Sequence, residues 1–204
     1  MYLAKTPKIL KKTYPKYIWD FHSLTTTLHL TFDDGPTPGV TNLVLDELKK
    51  YNAKATFFCI GKNVEQFPEL FQRIIDEGHA VGNHTYSHIN GWSVKTYTYL
   101  KDVVKCKAIF ESTLFRPAYG KITRFQAKAL MNTFEIIMWD VLSSDFDENC
   151  TPEKCLHNVL THSKKGSIIV FHDSIKAEKN LIYTLPKVLE HFTQQGFQFK
   201  AIEL

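Results

Sequence analysis

The stretch LTFDDGPTPG, residues 30–39, ends an apolar run with two neighbouring carboxylates, Asp33 and Asp34, and then interrupts the chain with two glycines and two prolines. An apolar run that stops at Gly and Pro is typical of a buried strand that ends in a loop. We therefore predict a strand at residues 28–32. Apolar residues then recur at helical spacing over residues 40–51, which predicts a helix directly after it.

The same strand-then-helix unit recurs along the chain. Further predicted strands are ATFFCI (55–60), HAVGNH (79–84), LFRPA (114–118), EIIMWD (135–140), SIIVFHD (167–173) and FQFKAIEL (197–204). Among the six predicted helices, one opens with the capping-box string TRFQ (123–126) and another with Thr151 and Pro152. Such alternation indicates right-handed βαβ units. We predict an α/β fold with a distorted (β/α) barrel of about seven parallel strands.

Length and charge limit the alternatives. A chain of 204 residues with 44% hydrophobic content can bury one sizeable core, which favours a single domain. We expect residues 1–27, which carry five lysines by position 16, to form a basic arm packed on a domain of residues 28–204. A net charge of +4 and the lack of a long apolar stretch predict no nucleic-acid partner and no membrane span. We expect a monomer and, since no signal peptide is visible, a cytoplasmic location.

The chain has four cysteines: Cys59, Cys106, Cys150 and Cys155. Their spacing fits neither a zinc ribbon nor a redox pair, and Cys59 lies inside an apolar run. We expect buried or idle thiols. The alternative is a Cys150–Cys155 bridge, which an exported protein would favour.

Polar side chains follow five of the predicted strands. In parallel barrels, functional groups lie at the carboxyl ends of the strands. Taken singly, each such residue has a structural explanation, such as a turn cap or a lone hydrogen bond. Together they predict a functional site at one rim. They are Asp33 and Asp34, His84 and His88, Arg116 to Gly120, Asp140 and Asp145, and His172 and Asp173.

The string HTYSH, residues 84–88, suggests metal chemistry. Its two histidines are four residues apart, a spacing that lets both imidazoles face one ion. With one carboxylate from the doublet they make a two-histidine, one-carboxylate set that leaves positions open for water and substrate. The second carboxylate is then free to act as a base toward the attacking water.

Five strings, in this order, carry a family resemblance: TFDDGP, HTYSH, RPAYG, SSDF and IVFH. They resemble the motifs of the polysaccharide deacetylases of carbohydrate esterase family four, over about residues 28–172. The resemblance implies a NodB-type deacetylase barrel and a metal-dependent hydrolase that removes acetyl groups from N-acetylated, or in some relatives O-acetylated, sugars or polysaccharides. Two alternatives stay open: a hydrolase of small cyclic amides on the same barrel, and a carbohydrate-binding relative without turnover.

The resemblance also implies the members of a metal centre. Asp33 is similar to the family's catalytic base. Asp34, His84 and His88 are similar to its metal ligands, with zinc the first expectation and cobalt, nickel or manganese as alternatives.

Four further residues correspond to the rest of the catalytic machinery. Arg116 resembles the arginine that pairs with the base, and the backbone N–H of Tyr119 the donor that stabilises the oxyanion. His172 resembles the general acid, and Asp145 the carboxylate that holds this histidine and raises its pKa.

Pro117, Phe146 and Val170 are the expected substrate-binding residues, and the last two should line a small apolar groove for the acetyl methyl group. The chain departs from the family pattern at both of these positions and also at Ala118 and Leu142. None of these departures removes a ligand, base or acid. The expected partner is an acetylated carbohydrate.

Overall fold

The structure is a computed structural model that describes residues 3–21 and 25–204. The strands are β1 (Thr27–Asp33), β2 (Thr56–Cys59), β3 (Ala80–Asn83), β4 (Leu114–Phe115), β5 (Glu135–Ile136), β6 (Val141–Leu142), β7 (Ile168–His172) and β8 (Gln198–Phe199). The helices are α1 (Lys8–Thr13), α2 (Val40–Lys50), α3 (Gly61–Gln66), α4 (Pro68–Asp76), α5 (Thr96–Lys107), α6 (Arg124–Leu130), α7 (Pro152–His162) and α8 (Glu178–Gln194).

The strands form one parallel sheet that curls into a distorted barrel. Their order is β5-β4-β3-β2-β1-β7-β6, and β8 pairs with β1 beside this path. The two end strands, β5 and β6, are joined only by residues 137–140. This linker pairs on both sides, because Ile137 N–H donates to Phe115 O (2.8 Å) and Asp140 N–H donates to Ile168 O (3.0 Å). The predicted parallel barrel is therefore confirmed.

The predicted boundaries differ from the structure in two places. EIIMWD is not a single strand: the strand paired with β4 ends at Ile136, and a separate strand, β6, pairs with β7. The helix expected after β2 is divided into α3 and α4 at Phe67, whose φ and ψ are −131° and 58°. The break follows from Pro68, since a proline disfavours the helical conformation of the residue before it.

The helix starts that the sequence signals are confirmed. Thr123 and Gln126 form a reciprocal capping box at the start of α6. The Thr151 hydroxyl accepts from the Lys154 N–H at the start of α7, with Pro152 in the first turn. Both devices satisfy N–H groups that a helix leaves unpaired at its beginning.

The main core lies around β1, the central strand of the sheet. Phe32 of β1 stacks on Phe57 of β2 and Phe171 of β7, with ring centroids 5.0 and 5.9 Å apart. Leu28 and Leu30 of the same strand are also fully buried. Because both faces of a parallel sheet are buried in such a barrel, its strands read as nearly continuous apolar runs. The core thus holds β1 rigidly and fixes where its last residue, Asp33, lies.

Residues 3–21 contact the barrel away from Asp33, the carboxyl end of β1. Lys5 Nζ lies 2.6 Å from the buried carboxylate of Asp140, and Lys11 also bonds this carboxylate. Ser167 Oγ donates to it as well (2.6 Å). Asp140 precedes β6 and lies beside the residue that precedes β7, so it belongs to the amino ends of the strands. The expectation that Asp140 joins the rim of functional groups is therefore wrong, because the chain runs on into β6 where a strand end was predicted.

All four cysteines are free thiols, three of them buried and Cys150 partly exposed. Across residues 3–21 and 25–204, no helix combines the length and the apolar character that a membrane crossing needs.

Candidate active site

The strand ends bring the predicted catalytic residues together at one rim. Asp33 is the last residue of β1 and His172 the last residue of β7, and the two are direct partners in the parallel register. His84 follows β3, and Arg116 follows β4. Asp145 lies three residues after β6. These groups therefore meet because neighbouring parallel strands end at the same edge of the sheet.

The loops at this rim contain several left-handed residues. Asp34, His88 and Tyr119 have φ values of 81°, 57° and 61°. Non-glycine residues adopt positive φ uncommonly, and such conformations persist where the surroundings over-determine them. Their concentration around one cavity indicates that the backbone there is shaped for the placement of side chains.

Asp34, His84 and His88 form a compact group of potential metal ligands. One ligand atom from each lies within 4.8 Å of the others. Oδ1 of Asp34 is 3.6 Å from His84 Nε2 and 3.1 Å from His88 Nε2. The predicted ligand set is thus assembled in space, with donors that suit zinc and other divalent ions.

The hydrogen bonds of these three residues fit a cation between them. His84 Nδ1 lies 2.8 Å from Arg116 O, which can only accept, so His84 carries its proton on Nδ1 and presents a lone pair from Nε2. Burial lowers the pKa of His84 to about 4, which keeps the ring neutral near pH 7. Oδ1 of Asp34 is buried and makes no hydrogen bond among the described residues. An orphaned carboxylate oxygen that faces an imidazole lone pair is the arrangement a metal ion would satisfy.

The pKa of Asp34 also fits the role of a metal ligand. Burial alone would raise this pKa, but the close approach of His88 and the charges of the neighbouring histidines outweigh it and hold the pKa of Asp34 below its ordinary value. The carboxylate is therefore ionised at neutral pH, as a ligand must be.

Arg116 binds Asp33 in a fully buried ion pair. Its Nη1 donates to Asp33 Oδ1 (2.7 Å) and to the Thr31 hydroxyl (2.7 Å). The rest of the guanidinium donates to the carbonyls of Ile137 (3.1 Å) and Met138 (2.9 Å). Burial lowers the pKa of Arg116, but the group starts so high that it stays charged. Because all three guanidinium nitrogens donate to fixed acceptors, Arg116 fixes the position of the Asp33 carboxylate.

His172 and Asp145 form a second pair. His172 Nδ1 lies 2.8 Å from Asp145 Oδ1, and the His172 backbone N–H donates to Oδ2 (2.8 Å). Burial would lower the pKa of His172, but the charge and hydrogen bond of Asp145 outweigh it, with help from Asp34 and Asp33, and raise it to about 9. At neutral pH the imidazolium is therefore protonated, with Nδ1 engaged and Nε2 left to donate.

Asp173 makes contacts that the sequence did not reveal. It is fully buried and accepts from the Gly35 N–H (3.0 Å) and the Thr41 hydroxyl (2.5 Å). A Cβ on Gly35 would lie 2.0 Å from this carboxylate, so only glycine fits there. Burial raises the pKa of Asp173 to about 8. Asp173 thus ties the end of β7 to the turn after Asp34.

A cavity of about 480 Å³ opens above these pairs. Phe146 and Val170 line it as predicted, and the Phe146 ring packs edge-on against His172 with centroids 4.7 Å apart. Pro117 is buried and is not part of the wall, so its predicted contact with substrate stays a prediction. The sequence did not single out the other wall residues, because strand and loop patterns do not show which side chains turn toward a cavity. These include Lys121, Trp139, Ser174 and Lys176.

Tyr119 contributes a free backbone donor to the wall of this cavity. Within residues 3–21 and 25–204, its N–H donates to no protein acceptor, whereas the N–H groups of the next two residues bond the carbonyls of Pro117 (2.9 Å) and Ala118 (3.1 Å). The Tyr119 ring is 60% exposed and lies 4.4 Å from the His88 ring, centroid to centroid. The ring is thus exposed at the cavity wall and is not part of the core.

Comparisons with known proteins agree with this geometry. A family model described as polysaccharide deacetylase matches residues 24–133. A peptidoglycan-N-acetylglucosamine deacetylase from Bacillus cereus is 36% identical over 181 residues, which cover 85% of this chain and 66% of that relative. The peptidoglycan-N-acetylmuramic acid deacetylase PdaC from Bacillus subtilis is 33% identical, over 85% of this chain and 37% of that relative. The chain thus spans just under two thirds of the first relative and little more than a third of the second.

Among solved structures, this fold is similar to the Bc1960 peptidoglycan N-acetylglucosamine deacetylase, with a TM-score of 0.88 and 33% sequence identity. The alignment covers 97% of this chain and 95% of that one.

Proposed function

Because the chain belongs to the polysaccharide deacetylase family, we propose that it hydrolyses the acetamide of N-acetylglucosamine residues in peptidoglycan and releases acetate. The observation that carries this proposal is the grouping of a paired carboxylate, a paired imidazolium and a three-ligand cluster around one cavity. The names of the similar proteins support peptidoglycan as the polymer.

We propose that zinc is the native ion, held by Asp34, His84 and His88, with cobalt, nickel and manganese as alternatives. When bound, such an ion supplies a Lewis acid for the acetyl carbonyl and for the attacking water. Asp34 gives a charged oxygen, while the two histidines give neutral nitrogen donors that zinc accepts well.

Asp33 acts as the general base in this proposal. It adjoins the ligand Asp34 in sequence, and its side chain is 5% exposed. The bond from Arg116 fixes one carboxylate oxygen and leaves the other to take the proton of the attacking water. A held base keeps the geometry that proton transfer needs.

His172 acts as the general acid. An amine leaves poorly unless it is protonated, so the C–N bond breaks as His172 gives its Nε2 proton to the sugar nitrogen. Asp145 holds Nδ1 and stabilises the imidazolium before transfer. The Tyr119 N–H, which has no acceptor among the described residues, is the donor that we assign to the oxyanion of the tetrahedral intermediate.

The walls of the cavity suit an acetylated sugar. Phe146 and Val170 form an apolar surface beside His172, where the acetyl methyl would pack. Farther out, the exposed Tyr119 ring can stack on a sugar face. Lys121 and Lys176 also line the cavity, and their charges favour the carboxylates that peptidoglycan carries.

The test is acetate release from peptidoglycan fragments, chitooligosaccharides and acetylated xylan, with and without a chelator and with zinc added back. We expect peptidoglycan fragments to be the best substrate and the chelator to abolish turnover until zinc returns. Element analysis should find about one divalent ion per chain in the wild type and much less in His88→Ala. Activity that survives both the chelator and Asp33→Asn would refute the proposed mechanism, and a preference for xylan would refute the proposed substrate.

A further inference from the structure

Cys150 and Cys155 lie at the end of the loop that carries Asp145, and neither has a part in the proposed catalysis. Their Sγ atoms are 3.5 Å apart, and both are free thiols. A disulfide bond is about 2.05 Å long. A bond therefore needs the two sulfur atoms to approach by about 1.5 Å, which rotation of the Cys150 and Cys155 side chains can supply.

The two thiols differ in exposure in a way that suits stepwise oxidation. Cys150 is partly exposed and precedes the N-cap residue of α7, whereas Cys155 is fully buried within that helix. A dissolved oxidant can therefore reach Cys150 first. Cys155 then lies within reach of the sulfur that has been modified.

The loop formed by residues 145–150 connects this pair to the catalytic acid. The side-chain amide of Asn180 donates from Nδ2 to Asp145 O (2.8 Å) and to Cys150 O (3.1 Å), and so holds both ends of the loop. Asp145 in turn holds His172. A covalent tie at Cys150 would fasten the distal end of this loop to α7.

We propose that Cys150 and Cys155 are a thiol–disulfide site that small-molecule disulfides such as oxidised glutathione convert to an intrachain bond, and that this bond staples the 145–150 loop to α7. In the first step, the Cys150 thiolate attacks the disulfide, forms a mixed disulfide and releases one glutathione thiolate. In the second step, the Cys155 sulfur loses its proton to solvent, attacks Cys150 Sγ and releases the second glutathione. Two protein thiols are oxidised, and one glutathione disulfide is reduced to two thiols.

The second step should be the slower one. Burial, together with the neighbouring Cys150, raises the pKa of the Cys155 thiol well above its ordinary value, so its reactive thiolate is rare. Cys59 and Cys106 provide an internal control. Both are fully buried in the core, and burial raises the pKa of Cys106 to about 12. No oxidant should reach either of them in the folded protein.

The experiment is oxidation of the folded wild-type protein with oxidised glutathione, followed by denaturation and alkylation. Reduced protein should bind four alkyl groups and oxidised protein two, with Cys59 and Cys106 alkylated in both. Trypsin can cleave after Lys154, between the two cysteines, so the oxidised protein should yield peptides 129–154 and 155–164 joined until a reductant is added. Four alkylated thiols after oxidation, or a bond that involves Cys59 or Cys106, would overturn the proposal.

Two serine variants test the order of steps. Cys155→Ser should accumulate glutathione on Cys150, because nothing displaces it, whereas Cys150→Ser should take up none. The bond should raise the melting temperature of the wild type by about 3–8 °C, and neither variant should gain this increase. A stable mixed disulfide on wild-type Cys150, without conversion, would refute the site as a pair. These readouts do not depend on deacetylase activity, so they stand apart from the proposed function.

Discussion

Asp145→Asn isolates the contribution of one buried charge to the protonation of His172. In the structure, Asp145 is fully buried and holds His172 through both carboxylate oxygens. Burial lowers the pKa of His172 from 6.5, and the Asp145 charge and hydrogen bond are the largest effects that raise it to about 9. Asparagine keeps the shape but removes the charge. Burial then remains without its main counterweight, and the pKa of His172 should fall to about 6.5 or below.

The expected loss follows from the protonated fraction. At about pH 7.5, a histidine of pKa about 9 is roughly 97% protonated, whereas one of pKa about 6.5 is roughly 9% protonated. If only the imidazolium protonates the leaving amine, kcat/KM should fall at least about tenfold at this pH. At about pH 5.5 both forms are mostly protonated, so the difference should shrink to less than about twofold.

The assay is acetate release across about pH 5–10, with Asp147→Asn as the matched control. Asp147 lies in the same loop, and its Oδ1 accepts from the Asn149 N–H (3.0 Å), a bond that asparagine can keep. The sign is set by the direction of the shift: a histidine whose pKa falls loses its proton sooner, so the basic limb should move to lower pH in Asp145→Asn alone. An unchanged basic limb, or an equal loss at every pH, would refute the assignment of Asp145 as the residue that keeps His172 protonated.

Three other substitutions separate the remaining roles. Asp34→Asn should lose both bound metal and activity, whereas Asp33→Asn should keep the metal and lose most turnover. Element analysis together with acetate release measures both properties. If Asp33→Asn were the variant without metal, the roles of the two residues would have to be exchanged. His172→Ala should slow amide hydrolysis by about 100-fold or more but spare an aryl acetate, whose leaving group needs no proton; equal losses on both would exclude a general acid. Asp140→Asn should reduce the free energy of unfolding by about 1.5–3 kcal/mol at neutral pH, because it breaks a buried carboxylate's bonds to Lys5 and Lys11. Burial alone would raise the pKa of Asp140, but those lysines and Ser167 hold it below its ordinary value. In urea unfolding, the difference in free energy between wild type and Asp140→Asn should therefore be complete above about pH 5 and decrease at lower pH. A difference that does not depend on pH would refute the charge argument.

The site could be predicted from sequence where its residues stand at strand ends. Asp33 and His172 each follow an apolar run, and the barrel fold dictates that such ends meet. The four-residue spacing of His84 and His88 is likewise a local signal. Local patterns sufficed here because the sheet itself supplies the long-range information.

The remaining features depend on contacts between distant segments, and no local pattern encodes them. Asp140 looked like a strand-end acid, but its partners include Lys5, 135 residues away. Asp173 contacts Gly35 across 138 residues. Asn180, which holds the loop after Asp145, lies in a helix whose periodicity shows only that the residue is near the buried side. Each of these placements is decided by packing and not by propensity.

Arg116 shows why the base and the metal cluster form one unit. Its guanidinium holds Asp33, and its own carbonyl accepts from His84 Nδ1, so one residue positions both the base and one ligand. The Arg116 N–H donates to Asn83 O (3.0 Å), the last residue of β3, which anchors this residue to the strand that leads to His84. A displacement of Arg116 would therefore shift the base and turn the ligand together. The relative geometry of these two groups is set by a single rigid connection and not by two independent loops, and such a connection supplies the preorganisation that attack on an unreactive amide demands.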